Sequence, residues 1–529
     1  MAVQDVITVG VGSAPGTVAF LVTRGLGAIS PTEDLTYAVE VDWDADGDYL
    51  DANEDITADV WSVEISRGRD YASQLTGRAI AGRCRITLGN SDGKYSPFNT
   101  DSPLFGSILP KRRVRVRAVW PLNIVLWTGD LDSIRPAALS PGDVPTATLE
   151  ATGVMARLTG KRVTPAASPG ADTGALIGTV LTAAGIVAGD QVLDTGATTT
   201  GRWYEPDTSA LEAARRLEET ELGFLYEDEA ARYVYEKRGH RLVSDHLTVQ
   251  AEFSDEPGAA LGYQGITEED PLRELYNEIP VTVQPYTLQS EAILWTLSGE
   301  TPTLTAGETK AWWAQYPDAG AATGAYVEAW TTPVVGTDIT QTGVSNGDIA
   351  VVVSKFGNAM KISITNNHVS DTATITLLRA KGTAVTQDNP VRIVAEDTDS
   401  QDAYGQRTFR LPGPWYANTD DAQSLADLTL ARHKDPQAIL ILSFVANSSL
   451  ALKQQSLTRK ISDRVLVTAD GDTQLGIDGR EFFIEAIQHQ IDRRGKLHTV
   501  TWSLSQAELD AGFWVLGTSL LGIDTRLYG

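Results

Sequence analysis

Two stretches near opposite ends of the chain carry the reading of the fold. Trp127-Thr-Gly-Asp-Leu-Asp-Ser-Ile134, a turn, and Thr146-Ala-Thr-Leu-Glu-Ala151 make a long strand, a hairpin and a second strand. Phe483-Ile-Glu-Ala-Ile-Gln-His-Gln-Ile491, a turn, and His498-Thr-Val-Thr-Trp-Ser-Leu504 repeat that layout. Each run is rich in β-branched and aromatic residues and alternates apolar with polar positions, which is the pattern of half-buried strands. Two such hairpins arise by duplication or by coincidence, and duplication is the reading adopted here.

Around the first hairpin, Tyr37-Ala-Val-Glu-Val-Asp42, Val60-Trp-Ser-Val-Glu-Ile65, Cys84-Arg-Ile-Thr-Leu88 and Val114-Arg-Val-Arg-Ala118 also alternate, so residues 31–157 read as one β domain. The 47 glycines and turn clusters such as Asn90-Ser-Asp-Gly93 and Asp470-Gly-Asp-Thr473 punctuate these runs. Residues 1–30 read as a glycine-rich extended arm with candidate strands at Val6–Val9 and Thr17–Val22. Residues 158–284 change period. Leu176, Ile177, Val180 and Leu181 sit at helical spacing before Gly185, and Ser209 with Glu212 opens a second helix. Phe224-Leu-Tyr226 and Tyr233-Val-Tyr235 then make a hairpin, which completes an α+β middle domain. Residues 285–395 turn to Thr, Ala, Val and Gly, with runs at Asp348–Val353, Met360–Ile364 and Thr374–Leu378 that suit an inserted β-sandwich. A helix near Asp421–Lys434 leads into a second β domain, 396–510, and 511–529 form a C-terminal tail. The expected class is mainly β with an α+β subdomain.

Size and charge narrow the function. At ~150 residues per domain, 529 residues argue for three or four domains. The net charge of −26 disfavours ordinary binding to the phosphate backbone of nucleic acid. The one cysteine, Cys84, rules out an internal disulfide and Cys-based zinc spacing, and its alternating context makes it a packed strand residue. No apolar run reaches the ~18 residues of a membrane span, and the N-terminus lacks the layout of a secretory signal.

Candidate sites are few. In Asp42-Trp-Asp44-Ala-Asp46-Gly47-Asp48, alternating carboxylates precede a glycine, a pattern that wraps oxygens around a hard cation. Asp42, Asp44 and Asp46 hold the first, third and fifth loop positions, and Asp48 would give its carbonyl. The glutamate expected at the twelfth position is replaced by Asn53, with Glu54 one step late. The loop is either a structural calcium clip or a solvated acidic turn. In Lys111–Arg117, Arg113, Arg115 and Arg117 share one strand face, and ion pairing with acidic neighbours suits them better than phosphate binding. The six histidines show no zinc spacing, and neither a nucleophile elbow nor a phosphate loop stands in a usable context, so no enzymatic activity is expected. In the sandwich, Trp312, Trp313, Tyr316 and Trp330 are candidates for a glycan-stacking platform, against the alternative that they are core.

Several segments resemble minor tail proteins of long-tailed bacteriophages of the siphophage type. They are Val41-Asp-Trp-Asp-Ala-Asp-Gly47, Val63-Glu-Ile-Ser-Arg-Gly-Arg-Asp70, Gly82–Asn90 with Lys94-Tyr-Ser-Pro97, the middle segment Ala210–Arg238, and the ending Phe513–Leu527. The resemblance implies a tail-tip (baseplate) hub in the virion, made in the host cytoplasm. It implies two tube-like β domains per subunit, so that a homotrimer mimics a sixfold tube. Implied partners are the tail tube or distal tail protein, the tape-measure protein, and tail fibres or other tip proteins, with genomic DNA passing through an acidic channel. A receptor-binding role, with the sandwich on host-wall glycan, is the alternative.

Overall fold

The computed structural model describes residues 35–69, 79–137, 144–256, 258–316, 324–470 and 475–507. The expected arm, the tail, its family-like ending and residues 471–473 of the turn at Asp470–Thr473 lie outside them. The chain is mainly β and multidomain, with a few helices.

Its centre is one sheet of twelve strands. In chain order these are β1 (Thr36–Asp42), β2 (Val60–Arg69), β3 (Ala79–Gly89), β4 (Arg113–Trp120), β5 (Ile124–Ala137), β6 (Thr146–Thr152), β7 (Ala251–Ser254), β8 (Gly265–Glu268), β9 (Ile439–Val445), β10 (Arg464–Ala469), β11 (Ile477–Asp492) and β12 (Leu497–Gln506). The first six pair in the order β1-β4-β5-β6-β3-β2, and the second six in the order β7-β10-β11-β12-β9-β8. Position for position, these are the same topology. Every neighbouring pair in both walls is antiparallel except β7 with β10, which is parallel where β1 with β4 is antiparallel.

The second wall therefore differs from the sequence expectation. β7 and β8, assigned from sequence to the middle domain, belong to it, and its other four strands arrive only after the insertion. The insertion also has a stem. Glu278–Val283 pairs with Val391–Glu396, and helix α3 (Thr419–His433) covers this ribbon through Ile279, Val281, Ala422, Leu425 and Ala426. The sandwich proper lies beyond the stem. It packs a six-stranded sheet around Ala373–Gln387 against a three-stranded one, over a core that includes Trp330, Met360, Ile362 and Ile375.

The middle domain forms as its sequence signals direct. Helix α1 (Thr173–Ala183) starts at Asp172, whose side chain accepts from the Ala175 N–H. Helix α2 (Ala210–Glu221) starts at Ser209, which accepts from the Glu212 N–H at 3.1 Å. Phe224–Glu227 and Tyr233–Glu236 form the expected hairpin. Leu225, Tyr233 and Tyr235 join Leu176, Ile177, Val180 and Leu217 in one core, whereas Phe224 and Tyr226 join the core of the second wall.

Candidate functional site: the seam between the walls and the acidic loop

Strand β11 is 16 residues long because it serves two neighbours on one edge. Its first half pairs with β10 (Phe483 opposite Arg464), and its second half pairs antiparallel with β2 (Gln490 opposite Glu64, Ala486 opposite Gly68). The walls thereby fuse into one sheet. Helix α4 (Leu450–Thr458) crosses beneath, sending Leu457 into the first core and Leu452 into the second, with the Lys453 ammonium 4.7 Å from the Trp120 ring centre.

The middle domain clamps both walls. The Glu227 carboxylate accepts from the Gly82 N–H at 2.5 Å and the Met155 N–H at 2.7 Å, and burial pushes it up to about 7. Glu229 is shared by Arg67 of the first wall and Lys460 of the second, each at 3.0 Å. Arg241 grips Glu485 with two bonds of 2.5 and 2.9 Å. Burial works to raise the Glu485 carboxyl, but the Arg241 and Arg69 guanidiniums outweigh it and hold the group down at about 2. Under the seam, His489 and His498 stack with Nδ1 and Nε2 3.0 Å apart, and burial drives both well below the ordinary histidine range.

Above the seam the sheet presents its polar side. Glu64, Arg83, Arg85, Glu150, Gln488 and Gln490 line a groove of about 680 Å³. Carboxylates alternate with guanidiniums there, and Asp132 with Arg135 continues the alternation along β5. This face therefore carries both signs of charge. Arg113, Arg115 and Arg117 are paired as expected, with Asp130 at 3.2 Å and with Glu40 at 2.7 and 2.6 Å, while Val114 and Val116 are fully buried. Cys84 is also buried in its strand, which pushes its thiol well up.

The acidic loop leaves β1 at Asp42. Asp42 is buried and accepts from the Ala45 N–H at 2.6 Å and the Gly47 N–H at 3.1 Å, so it braces the turn. Oxygens of Asp42, Asp44 and Asp46 lie within 4.8 Å of one another. Asp48 is not in that group, and its side chain accepts from the Leu50 N–H. Two residues beyond the expected set matter. The Asp51 carboxyl is raised above the usual range by its hydrogen bond to Asp44 and by that neighbour's charge. Glu54 is buried and accepts from the N–H groups of Trp43 and Asp51 at 3.1 and 3.0 Å, so it ties the loop shut. Its late position in the sequence is what places it there.

The sandwich aromatics divide. Trp330 lies in the core, its indole N–H donating to the Phe356 carbonyl at 2.6 Å, and Trp312 and Tyr316 pack against that core. Adjacent strand residues face opposite ways, so Trp313 points out and is 51% exposed. It is joined by Phe356, which the sequence reading missed, at 5.8 Å between ring centres.

Comparison by sequence matches the chain to no described protein family and to no curated protein. Among solved structures it is similar to the tail protein from Neisseria meningitidis MC58, with 10% identity, a TM-score of 0.47, and coverage of 90% of this chain and 98% of that one. It is similar also to the 43 kDa tail protein of prophage MuSo2 from Shewanella oneidensis, at 11% identity and TM-score 0.45, covering 90% and 99%. A third likeness is to an E. coli type VI secretion component, at 10% identity and TM-score 0.37, covering 85% and 74%. At these values no role follows from the likenesses.

Proposed function

We propose that the chain is a non-enzymatic hub of a bacteriophage tail tip, whose copies form a ring joining the tail tube to the tip proteins around the DNA path. The observation that carries this reading is the repeated wall: two six-stranded units of one strand order, fused edge to edge through β2 and β11. A homotrimer of such a chain presents six similar walls, which suits docking on a sixfold tube or distal tail ring. The sequence resemblance across Val41–Pro97 and Ala210–Arg238 supports the same reading. The tube, tape-measure and fibre proteins are then its partners, and DNA passes without specific binding. The open face of the sheet, with its alternating charges, is the surface turned to that path. Imaging of the purified full chain and of intact particles tests this. Threefold rings at the tail tip are expected, and a monomer or a sixfold ring in the particle overturns it.

The acidic loop is read as a structural calcium clip, with Asp42, Asp44 and Asp46 as side-chain ligands, because three carboxylates converge there. A receptor-binding role for the sandwich is favoured by the exposed Trp313–Phe356 pair, a flat apolar surface of the kind that stacks on sugar rings. Trp313→Ala is expected to reduce retention on host cell walls, and unchanged retention removes that role.

A further inference from the structure

The two walls correspond below the level of strand order. Lys111 and Ser462, both at positive φ (66° and 71°), stand just before β4 and β10. Each donates its N–H at 2.8 Å to the neighbouring long strand, Lys111 to the Leu131 carbonyl and Ser462 to that of Ile484. Leu131 and Ile484 donate back, to Arg112 at 2.8 Å and Asp463 at 3.0 Å. Directly after them both long strands bulge, between Leu131 and Ser133 and between Ile484 and Ala486. Beyond the bulges the partners run in step. Ile134 faces Leu149, which faces Ile86, which faces Val63; Ile487 faces Trp502, which faces Leu442, which faces Ile266.

This correspondence makes β5 the counterpart of β11, and β8 the counterpart of β2. Within the chain, the second half of β11 is filled by β2. Among the described residues, the same half of β5, Asp132–Ala137, has no strand on that side, and β8 ends the sheet with its outer edge open. The two edges cannot meet in one chain, because β6, β3, β2, β11, β12 and β9 separate them.

We propose that β5 of one copy pairs with β8 of the next, repeating between chains the seam that β11 and β2 make within one. Carrying the register across, Glu64 opposite Gln490 becomes Thr267 of one copy opposite Ala137 of the other. Ser66 opposite Gln488 becomes Glu269 opposite Arg135. The charges match: Arg135, 2.9 Å from Glu150 of its own copy and still 69% exposed at its side chain, meets the run Glu268-Glu269-Asp270. Within the subunit Glu269 stands 3.7 Å from the Arg273 guanidinium and Asp270 accepts from the Leu272 N–H at 2.9 Å; the seam adds Arg135 of the next copy as a partner. Pro136 takes the position of His489 and removes one donor, as prolines at sheet edges do. The copy-to-copy seam is accordingly shorter than the internal one. Such a contact is head-to-tail, so it closes into a ring when the rotation allows. The ring reading enters only in that closure; the seam follows from the repeat.

The test mixes full-length chains carrying Ala137→Cys with chains carrying Thr267→Cys, under mild oxidation. Buried Cys84 stays silent. A disulfide-linked dimer is expected from the mixture and not from either variant alone. Pairing Thr267→Cys with Arg135→Cys, two positions out of register, is expected to cross-link at least fivefold less. The double variant in one chain should give a covalent trimer. Arg135→Glu should weaken assembly about tenfold, the scale of one close charge pair, and Glu269→Arg in the same chain should restore it. Rings that form with no cross-link overturn the seam and leave the hub reading standing. Cross-links that ladder without limit keep the seam and overturn the closed ring. A monomer without cross-links overturns both.

Discussion

Gly68 is where the seam is most sensitive. It lies on β2 opposite Ala486, with φ +117°. A Cβ there would meet the Glu485 carbonyl oxygen at 2.4 Å, the Ala486 Cα at 2.6 Å and the Ala486 Cβ at 2.9 Å. Two of those atoms are backbone, so no rotamer change relieves the contact. Gly68→Ala therefore carries two penalties. Holding an L-residue at positive φ costs ~1–2 kcal/mol, and forcing extra volume into packed structure costs ~1–3 kcal/mol. The sum is roughly 2–5 kcal/mol. Gly106→Ala is the control, because Gly106 also has positive φ (82°) but nothing within 4 Å of the added carbon. It should show the first penalty alone. For a domain of 150–250 residues each kcal/mol moves Tm by about 2–4 °C, so Gly68→Ala is expected to lower the melting of the joined walls by on the order of 10 °C. Gly106→Ala should lower it by a few degrees. Hydrogen exchange locates the damage: amides of 63–67 and 487–491 should lose protection in the first variant only. Equal losses in both variants, or unchanged exchange along the seam, would refute the account of the seam as a close backbone approach.

Three further outcomes are expected. Millimolar calcium should raise the melting temperature of the full chain and Asp44→Ala should abolish the gain, since a ligand of the native state alone stabilises it; identical melts in chelator and calcium remove the clip. Replacing residues 285–390 by a short linker should leave a folded body, because Val283 and Val391 are paired and their ends lie side by side; an insoluble product shows a shared core. The buried histidines should contribute stability that rises with pH between about 4.5 and 6.5. Burial holds His433 and His498 down to about 3 and His489 well below its ordinary value, so the unfolded chain binds the extra protons in that window. Glu227, raised to about 7, acts oppositely, as do the raised Glu54, Glu205 and Asp463 carboxyls and the raised His240, so the histidine share is read by difference: His433→Gln should lower the slope of the urea midpoint against pH over this range, and an unchanged slope contradicts the assignment.

Much of this was legible in sequence because it is local. Alternation placed Val114 and Val116 inside and the three arginines outside, Ser209 announced α2, and the repeated hairpin marked the two walls. What escaped is what local patterns do not encode. β7 and β8 are four residues each, too short to show a period, and the rest of their wall lies far along the chain beyond the sandwich. Assigning them by sequence neighbourhood put them in the wrong domain. Trp312 and Trp313 announced an aromatic surface, but alternation shows only that they face opposite ways, not which one the core takes. In the acidic loop the carboxylates were plain, whereas the inward turn of Glu54 depends on Trp43 and Asp51 offering their N–H groups.

The reversed pairing of β7 has a consequence for any ring built from this chain. The walls agree in β2–β6 and β8–β12, the strands that make the seams. They part at β1 and β7, the strands that lie beyond β4 and β10, which are delivered by different connections. β1 leads into β2 through the acidic loop, whereas β7 leads into β8 through residues 255–264, where Asp255, Glu256, Tyr263 and Gln264 line a groove. The middle domain likewise occurs once per chain, between β6 and β7, and the sandwich enters the second wall only, between β8 and β9. Around a ring, the hydrogen-bonded frame would thus repeat at every wall while loops, clip and sandwich repeat at every second wall. In the proposed ring of three copies, a partner that reads the frame would meet near-sixfold symmetry, and one that reads the loops threefold symmetry. That is the arrangement the proposed hub would need between a sixfold tube on one side and threefold tip components on the other.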